Sequence, residues 1–503
     1  MAVLLLVVRA CLQSITLDEA GSFLQYAYKP WPSHWWPMSD NHVLNSILMR
    51  LTSTIFGVSN FTVRLPALMG GLIYIGSAAY LCGKLMERSL LRSLLFVCLV
   101  FNPMILDYLV AARGYGLALG FFLAAIAVMA TELPPPGAPT QSDRLDEKLA
   151  WVSVLLALSC AANFSFAIAD GVALTLFFIG SIRKQRYGYR DSVCMAACSY
   201  LPGLIVGFLI CGSVVLKWPK GELYFGANQM SEMWSGFASG SFDELNPNLV
   251  NPLLLSWLTS LRSVMPWVVA AASPLFLCHV EMRRWRSPEP ETELAGNFVR
   301  LIAGIFLTTL LLHWLVFEFL HIPLPKDRTG LFFLPLWTLA LVGSVAIASN
   351  PHGRRVAHRG GTVLLLVAAL YFLACLRIGY FKEWKFDSDT KTLYWIMDDL
   401  HQRCRIEKFG IDWRYQLALN FYREVYRNYS LSEFSYVNSG DLPVDRDAYA
   451  IFLPTSEDFI ERQHLHVIYR NDESNAAVAV RGCPANAAPA PKDSRARTRF
   501  PVN

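Results

Sequence analysis

The sequence predicts an α-helical, polytopic membrane protein of about 11 transmembrane helices that ends in a small soluble α/β domain. Three observations predict it. Of 503 residues, 54% are hydrophobic and only 17% charged, with a mean hydropathy of +0.35; this is too apolar for a soluble enzyme of that length. Apolar stretches of roughly 20 residues, enough to cross ~30 Å of hydrocarbon, recur through the first three quarters of the chain. Lys and Arg gather in alternate loops, as the positive-inside rule requires of correctly placed spans.

The spans fall near 1–15, 64–83, 90–108, 115–131, 149–163, 165–182, 192–216, 252–280, 298–320, 330–349 and 361–380. The first is short and carries Arg9, so either the helix tilts or the chain begins further upstream; a signal peptide would need a charged n-region that is missing. The basic loops are Lys84, Arg88 and Arg92; Arg183, Lys184, Arg186 and Arg190; Arg283, Arg284 and Arg286; and Arg354, Arg355 and Arg359. All share one parity and read as cytoplasmic. The loop at 132–148 shares it but is mixed in sign. Loop 16–63, loop 217–250 and the tail after 380 then face the opposite side, periplasm or lumen. These basic loops account for most of the net charge of +5, so no nucleic-acid partner is called for. The 11 cysteines show no CxxC or zinc spacing. Only Cys404 and Cys483 lie in the outward tail, where an oxidising compartment would let them pair.

Polar chemistry collects on the outer face. Loop 16–63 opens on Asp18-Glu19 and continues through Trp31, Trp35 and Trp36 to Asp40-Asn41-His42. Leu44, Leu48, Leu51 and Ile55 repeat at helical spacing, predicting an amphipathic surface helix capped by Asp40 or Asn41. The tryptophans suit headgroup level better than a sugar platform. In the next outer loop Arg113 is followed by Gly114-Tyr115-Gly116. A guanidinium at a helix start beside glycines suits an anion; a snorkelling arginine is the structural alternative. In 321–329, Lys326 and Arg328 stand on the wrong side for topology, which favours a second phosphate contact. Asp107, Asp170 and Glu318 lie near the outer ends of spans, where an ionisable group is either functional or structurally paired.

Asp18-Glu19, Asp40-Asn41-His42-Val43-Leu44, Phe56-Gly57, Arg64-Leu65-Pro66-Ala67 and Ala112-Arg113-Gly114-Tyr115-Gly116 occur in an order and spacing that resembles the GT-C superfamily of membrane glycosyltransferases, nearest the branch of protein O-mannosyltransferases and the aminoarabinose transferase of lipid A. The detailed match covers about residues 15–130, and the Arg328 loop is compatible with it. Val43 follows His42 where the family pattern has proline, a departure that bears on the acceptor groove. The resemblance implies a GT-C fold and a sugar carried on a polyprenyl phosphate. It is attacked with inversion by a lipid, glycan or protein acceptor on the outer face of a bacterial inner membrane. It implies Asp18 as the base, with Glu19 beside it, and Arg113, Arg328 and Lys326 at the donor phosphate. Asp40, His42, Tyr115 and Asp107 are then left for substrate binding. No cofactor is required, although some relatives use a divalent metal that Asp18, Asp40 and His42 could ligate. A transporter or flippase of a lipid-linked glycan is the rival reading; it would favour internal repeats and mid-membrane charges, and none is evident.

After the transmembrane domain (1–380) the composition becomes that of a soluble domain (381–481), with a disordered tail (482–503). Strands are predicted at 405–411, 434–437, 449–453 and 465–469 and a helix at 412–428. His464 and His466 read as edge residues more readily than as metal ligands. Acceptor recognition is the role expected of this domain.

Overall fold

The computed structural model describes residues 1–86, 89–131, 145–185, 189–242, 244–246, 248–251, 259–260, 264, 266–268, 290–347, 351–435 and 442–482. The chain divides into two compact units. One comprises Met1–Leu12 and Gln25–Ile378; the other joins Gln13–Leu24 to Gly379–Asn503. The segment bearing Asp18 and Glu19 therefore belongs with the C-terminal unit, a grouping that the division at residue 380 does not anticipate.

The first unit is helical and marks a multi-pass membrane protein. Among the described residues, four helices are long and apolar enough to cross a membrane: Asn60–Leu85, Phe164–Ile182, Val193–Val215 and Gly296–Leu320. Ala2–Leu12, Ser89–Val100, Tyr115–Thr131, Phe333–Gly343 and Arg359–Ala374 are apolar but shorter. Most of the span expected at 252–280, and most of loop 132–148, lie outside the described residues. The span expected at 90–108 is broken. Pro103 excludes helical geometry at Asn102, whose side chain instead caps Pro103–Tyr108 by accepting from the amides of Met104 and Ile105. Helices Asn60–Leu85 and Tyr115–Thr131 cross at glycines: a Cβ on Gly70 would stand 2.3 Å from Gly116 O, and one on Gly120 2.4 Å from Gly70 O. Such backbone contact is how apolar helices associate where burial from water contributes little.

Arg9 is only 1% exposed within the apolar first helix. Its Nη1 donates to Leu106 O at 3.1 Å and its Nη2 pairs with Asp107. Asp107 is thus one partner of a largely buried ion pair. Removing one partner leaves the other charge buried alone, at a cost of about 3–5 kcal/mol. Asp107→Ala is therefore expected to lower the thermal unfolding temperature in detergent while sparing donor affinity; an intact fold with lost donor affinity would support the substrate role.

Helix Val43–Phe56 starts one residue later than predicted, with His42 at the N-cap and no side-chain capping bond. Asn41 turns away, donating to His34 O and Trp36 O and accepting from Ser46 Oγ. The buried residues of this helix are Val43, Asn45, Ser46, Met49, Thr52 and Ser53, whereas Leu51, Ile55 and Phe56 point outward. Exposed apolar side chains on one side suit a helix that lies against lipid.

The second unit carries a four-stranded mixed sheet of order β1-β2-β4-β3: β1 Phe409–Ile411, β2 Ala448–Phe452, β3 His466–Asn471 and β4 Ala476–Val480. β1 and β2 are parallel, and the other two pairings antiparallel. Helices Thr390–Cys404, Trp413–Val425 and Leu453–Arg462 accompany it. The core gathers Tyr449, Ile451, Leu453, Leu465, Ala477 and Ala479. Two helices and β4 were not predicted, because Ala-rich β4 lacks the β-branched alternation of a half-buried strand and is buried at every position. Phe434 and Ser435 are not in a strand, which corrects that prediction; Tyr436 and Val437 lie outside the described residues, as do 483–503 of the tail. Cys404 is disulfide-bonded, and Cys483 lies outside the described residues.

Candidate functional site

The first unit brings three sequence-distant residues together. Arg113 sits in the turn between Pro103–Tyr108 and Tyr115–Thr131 and is 6% exposed. Gly114 closes that turn with φ +77°; a Cβ there would stand 2.2 Å from Ala162 O and 3.0 Å from His42 Cβ. Only glycine accommodates both the left-handed backbone and the approach. Asn45 Nδ2 donates to Ala112 O at 3.2 Å, tying the turn to the helix that His42 begins. The His42 ring packs edge-on against Tyr115, with centroids 5.5 Å apart, and Tyr115 packs on Tyr108 at 4.9 Å.

Arg328 arrives from the 3-10 turn Asp327–Gly330, its guanidinium 4.9 Å from the centre of the Phe225 ring. A two-bond bridge between Ala227 and Leu324, at 2.7 and 2.9 Å, holds the Phe225 strand of chain against the segment leading to that turn. Helix Met230–Ser241 backs it: Glu232 pairs with Lys326, and Gly236 lies against Asp327.

His42 is where these parts meet. Burial holds its pKa well below the usual 6.5, and the positive charges of Arg113 and then Arg328 lower it further. The charged form of the imidazole is therefore disfavoured beside these two guanidiniums. Below about pH 6.5 an unfolded histidine takes up a proton that buried His42 refuses, so the unfolded state binds more protons and stability is lost as the pH falls there. Unfolding in lipid or detergent is expected to become easier from pH 7 to pH 5 by at most ~1.4 kcal/mol per pH unit for this one group. His42→Gln should flatten that slope, and an unchanged slope would deny His42 the effect.

Beside this cluster Tyr26 donates to Asp40 Oδ1 at 2.7 Å. Burial raises the Tyr26 phenol, the Asp40 charge and hydrogen bond raise it further, Arg113 opposes, and Glu222 adds a smaller push upward. Glu222 is placed by Ser39, whose amide donates to its Oε1 at 2.8 Å. Tyr26 and Glu222 escaped the sequence reading. Neither sits in a motif, and only the fold carries loop 217–229 to Ser39.

Other expected residues are placed differently. Lys326 is ion-paired with Glu232, which raises its pKa and lowers that of Glu232; it supports the Arg328 turn. Tyr115 is 3% exposed and acts as a wall for His42. In the second unit, Asp18 and Glu19 stand in the first turn of helix Leu17–Ser22, capped by Thr16. Glu19 is fully buried, and its carboxylate accepts from the Thr16 amide at 3.0 Å in a capping box. Its carboxylate caps the helix on which Asp18 stands. Asp18 is half-buried. Among the described residues, no group of three or more His, Cys, Asp or Glu side chains could hold a metal ion.

The first unit also encloses an apolar cavity of about 1040 Å³ walled by Trp234, Phe237, Phe333, Trp337, Leu341 and Phe372, near the upper end of the range for small-molecule sites. Helix Met230–Ser241 contributes both its wall and the Glu232 and Gly236 supports of the Arg328 turn.

No family model matches the sequence, and no curated protein is similar enough in sequence to match it. Among solved structures, the chain is similar to ArnT from Cupriavidus metallidurans bound to undecaprenyl phosphate, with 12% identity over 95% of this chain and 96% of that one and a TM-score of 0.48. Its apo state gives 10% identity, 97% of each chain and a TM-score of 0.37. The Archaeoglobus fulgidus oligosaccharyltransferase in complex with zinc and sulfate gives 11% identity over 87% of this chain and 57% of that one, with a TM-score of 0.42.

Proposed function

We propose that this protein is an integral membrane glycosyltransferase of about 11 spans that moves a sugar from a polyprenyl phosphate to an acceptor on the periplasmic face of a bacterial inner membrane, with inversion. The observation that carries the proposal is the buried turn of Arg113, whose Gly114 closes against His42, with the Arg328 charge also bearing on that imidazole. Transfer breaks the bond between the anomeric carbon and the phosphate oxygen, and the electron pair stays on the phosphate. Fixed positive charge placed where that charge grows is the usual largest contribution to such catalysis. Guanidiniums serve it well because they bind phosphate oxygens in pairs. The apolar cavity suits the isoprenoid chain, which needs a greasy wall near a cationic head. Asp40 and Glu222, with the Tyr26 oxygen whose proton is given to Asp40, offer acceptors for sugar hydroxyls. Asp18, which the family resemblance designates, takes the acceptor proton. An outward C-terminal unit agrees with the disulfide at Cys404, since such bonds persist in oxidising compartments.

The test is turnover by purified protein in lipid against a panel of polyprenyl-phosphate sugars, with an acceptor extract, following free polyprenyl phosphate. Release with one donor supports transfer and names the sugar. Donor binding and transbilayer movement without release would replace this reading with a flippase.

A further inference from the structure

The role of the C-terminal unit is legible in how it holds the chain ahead of Asp18. Ser14 Oγ donates to Ser388 O at 2.8 Å, the Ile15 amide donates to Tyr422 Oη at 2.8 Å, Thr390 Oγ1 donates to Ile15 O at 3.2 Å, and the Leu17 amide donates to Asp387 Oδ2 at 2.7 Å. These bonds run from consecutive stretches of one short segment to 387–390 and helix Trp413–Val425. The last of them fixes the amide of the residue directly before Asp18. Asp387 is 1% exposed, and its Oδ1 is buried with no hydrogen-bond partner.

We propose that Asp387 is the positioning residue for Asp18: by receiving the Leu17 amide it sets the backbone from which the base projects, and the C-terminal unit thereby serves the chemical step. This rests on the assignment of Asp18 as the base. A buried carboxylate with one amide donor and two neighbouring carboxylates is costly as an anion. Asp387 therefore sits as the neutral acid and adds no competing charge beside Asp18. The groups facing it agree: Asp18 and Glu19 come from helix Leu17–Ser22, and Tyr415 comes from helix Trp413–Val425. Burial raises its carboxyl well above the usual range, the Leu17 amide opposes, and Asp18 and Glu19 raise it further.

The experiment uses the full chain in lipid and compares wild type, Asp387→Ala, Asp387→Asn and Asp18→Asn. Misplacing a catalytic group by a fraction of its bond length to substrate costs on the order of tenfold to a hundredfold in kcat. Asp387→Ala is expected to show that loss with donor KM unchanged. Asp387→Asn, which keeps an amide acceptor and carries no charge, is expected to recover most of it, separating positioning from unfolding. Infrared difference spectra at neutral pH should show a protonated carboxylic-acid carbonyl band in wild type and Asp18→Asn that is missing in Asp387→Asn. Full turnover by Asp387→Ala, with turnover lost in Asp18→Asn, would overturn the positioning role alone. Full turnover by Asp18→Asn would remove the base and this proposal with it. Absence of the band would overturn the neutral state.

Discussion

Asp18→Asn is expected to lower kcat by about 10²–10⁴-fold, the range over which a positioned base contributes, while donor affinity stays as in wild type. Asparagine keeps the size and polarity of the side chain and its place in the first turn of Leu17–Ser22, so the capping box between Thr16 and Glu19 persists. What it loses is the ability to accept the acceptor hydroxyl's proton. Single-turnover release of polyprenyl phosphate, together with equilibrium donor binding, separates the two terms. A parallel Glu19→Gln variant is expected to behave differently. Its buried carboxylate closes the cap onto the Thr16 amide, so its change should appear in stability before it appears in turnover. Turnover that survives in Asp18→Asn and fails in Glu19→Gln at full stability would exchange their roles.

The second large effect belongs to Arg113. Arg113→Ala is expected to weaken donor binding by about 10–100-fold, because a hydrogen bond to a charged group contributes ~1.5–3 kcal/mol and each 1.4 kcal/mol is about tenfold. Arg113→Lys should recover only part of this, since an ammonium cannot reproduce the paired donors of a guanidinium. Arg328→Ala should behave like Arg113→Ala, because both charges act on His42. Lys326→Ala should cost less, for Lys326 is already paired with Glu232 at a partly exposed position. Isothermal titration with a polyprenyl phosphate in nanodiscs checks all of these. Donor affinity unchanged in both arginine variants would remove the phosphate site from His42, Arg113 and Arg328.

The placements that the sequence did not foretell share one cause. Asp107 looked like an outer-face acid open to substrate because nothing near it in sequence opposes it; its partner, Arg9, lies in the first helix. Lys326 looked like a second phosphate ligand for the same reason, until helix Met230–Ser241 delivered Glu232 to it. Glu19 and Asp18 are adjacent and chemically alike, yet one turn of helix sends the first inward to a cap and leaves the second half-exposed. Tyr26, Glu222 and Asp387 carry no motif at all. Each gains its meaning from a hydrogen bond to a distant residue: Asp40, Ser39 and Leu17 respectively.

By itself the sequence determined that this is a membrane protein whose composition changes after residue 380, and it singled out Arg113, Lys326 and Arg328 as cations on the outer side. Those conclusions depend on transfer energies, which are set by composition along a contiguous stretch of about 20 residues and by which side of a span a charge occupies. The tertiary structure alone decided which ions are mutually paired and that Arg113 and Arg328 act on one histidine. It also decided that the segment carrying Asp18 belongs with residues beyond 378. Hydrogen bonds need their partners within ~3 Å and ion pairs within ~4 Å. Residues hundreds of positions apart acquire such partners only when the chain has closed on itself.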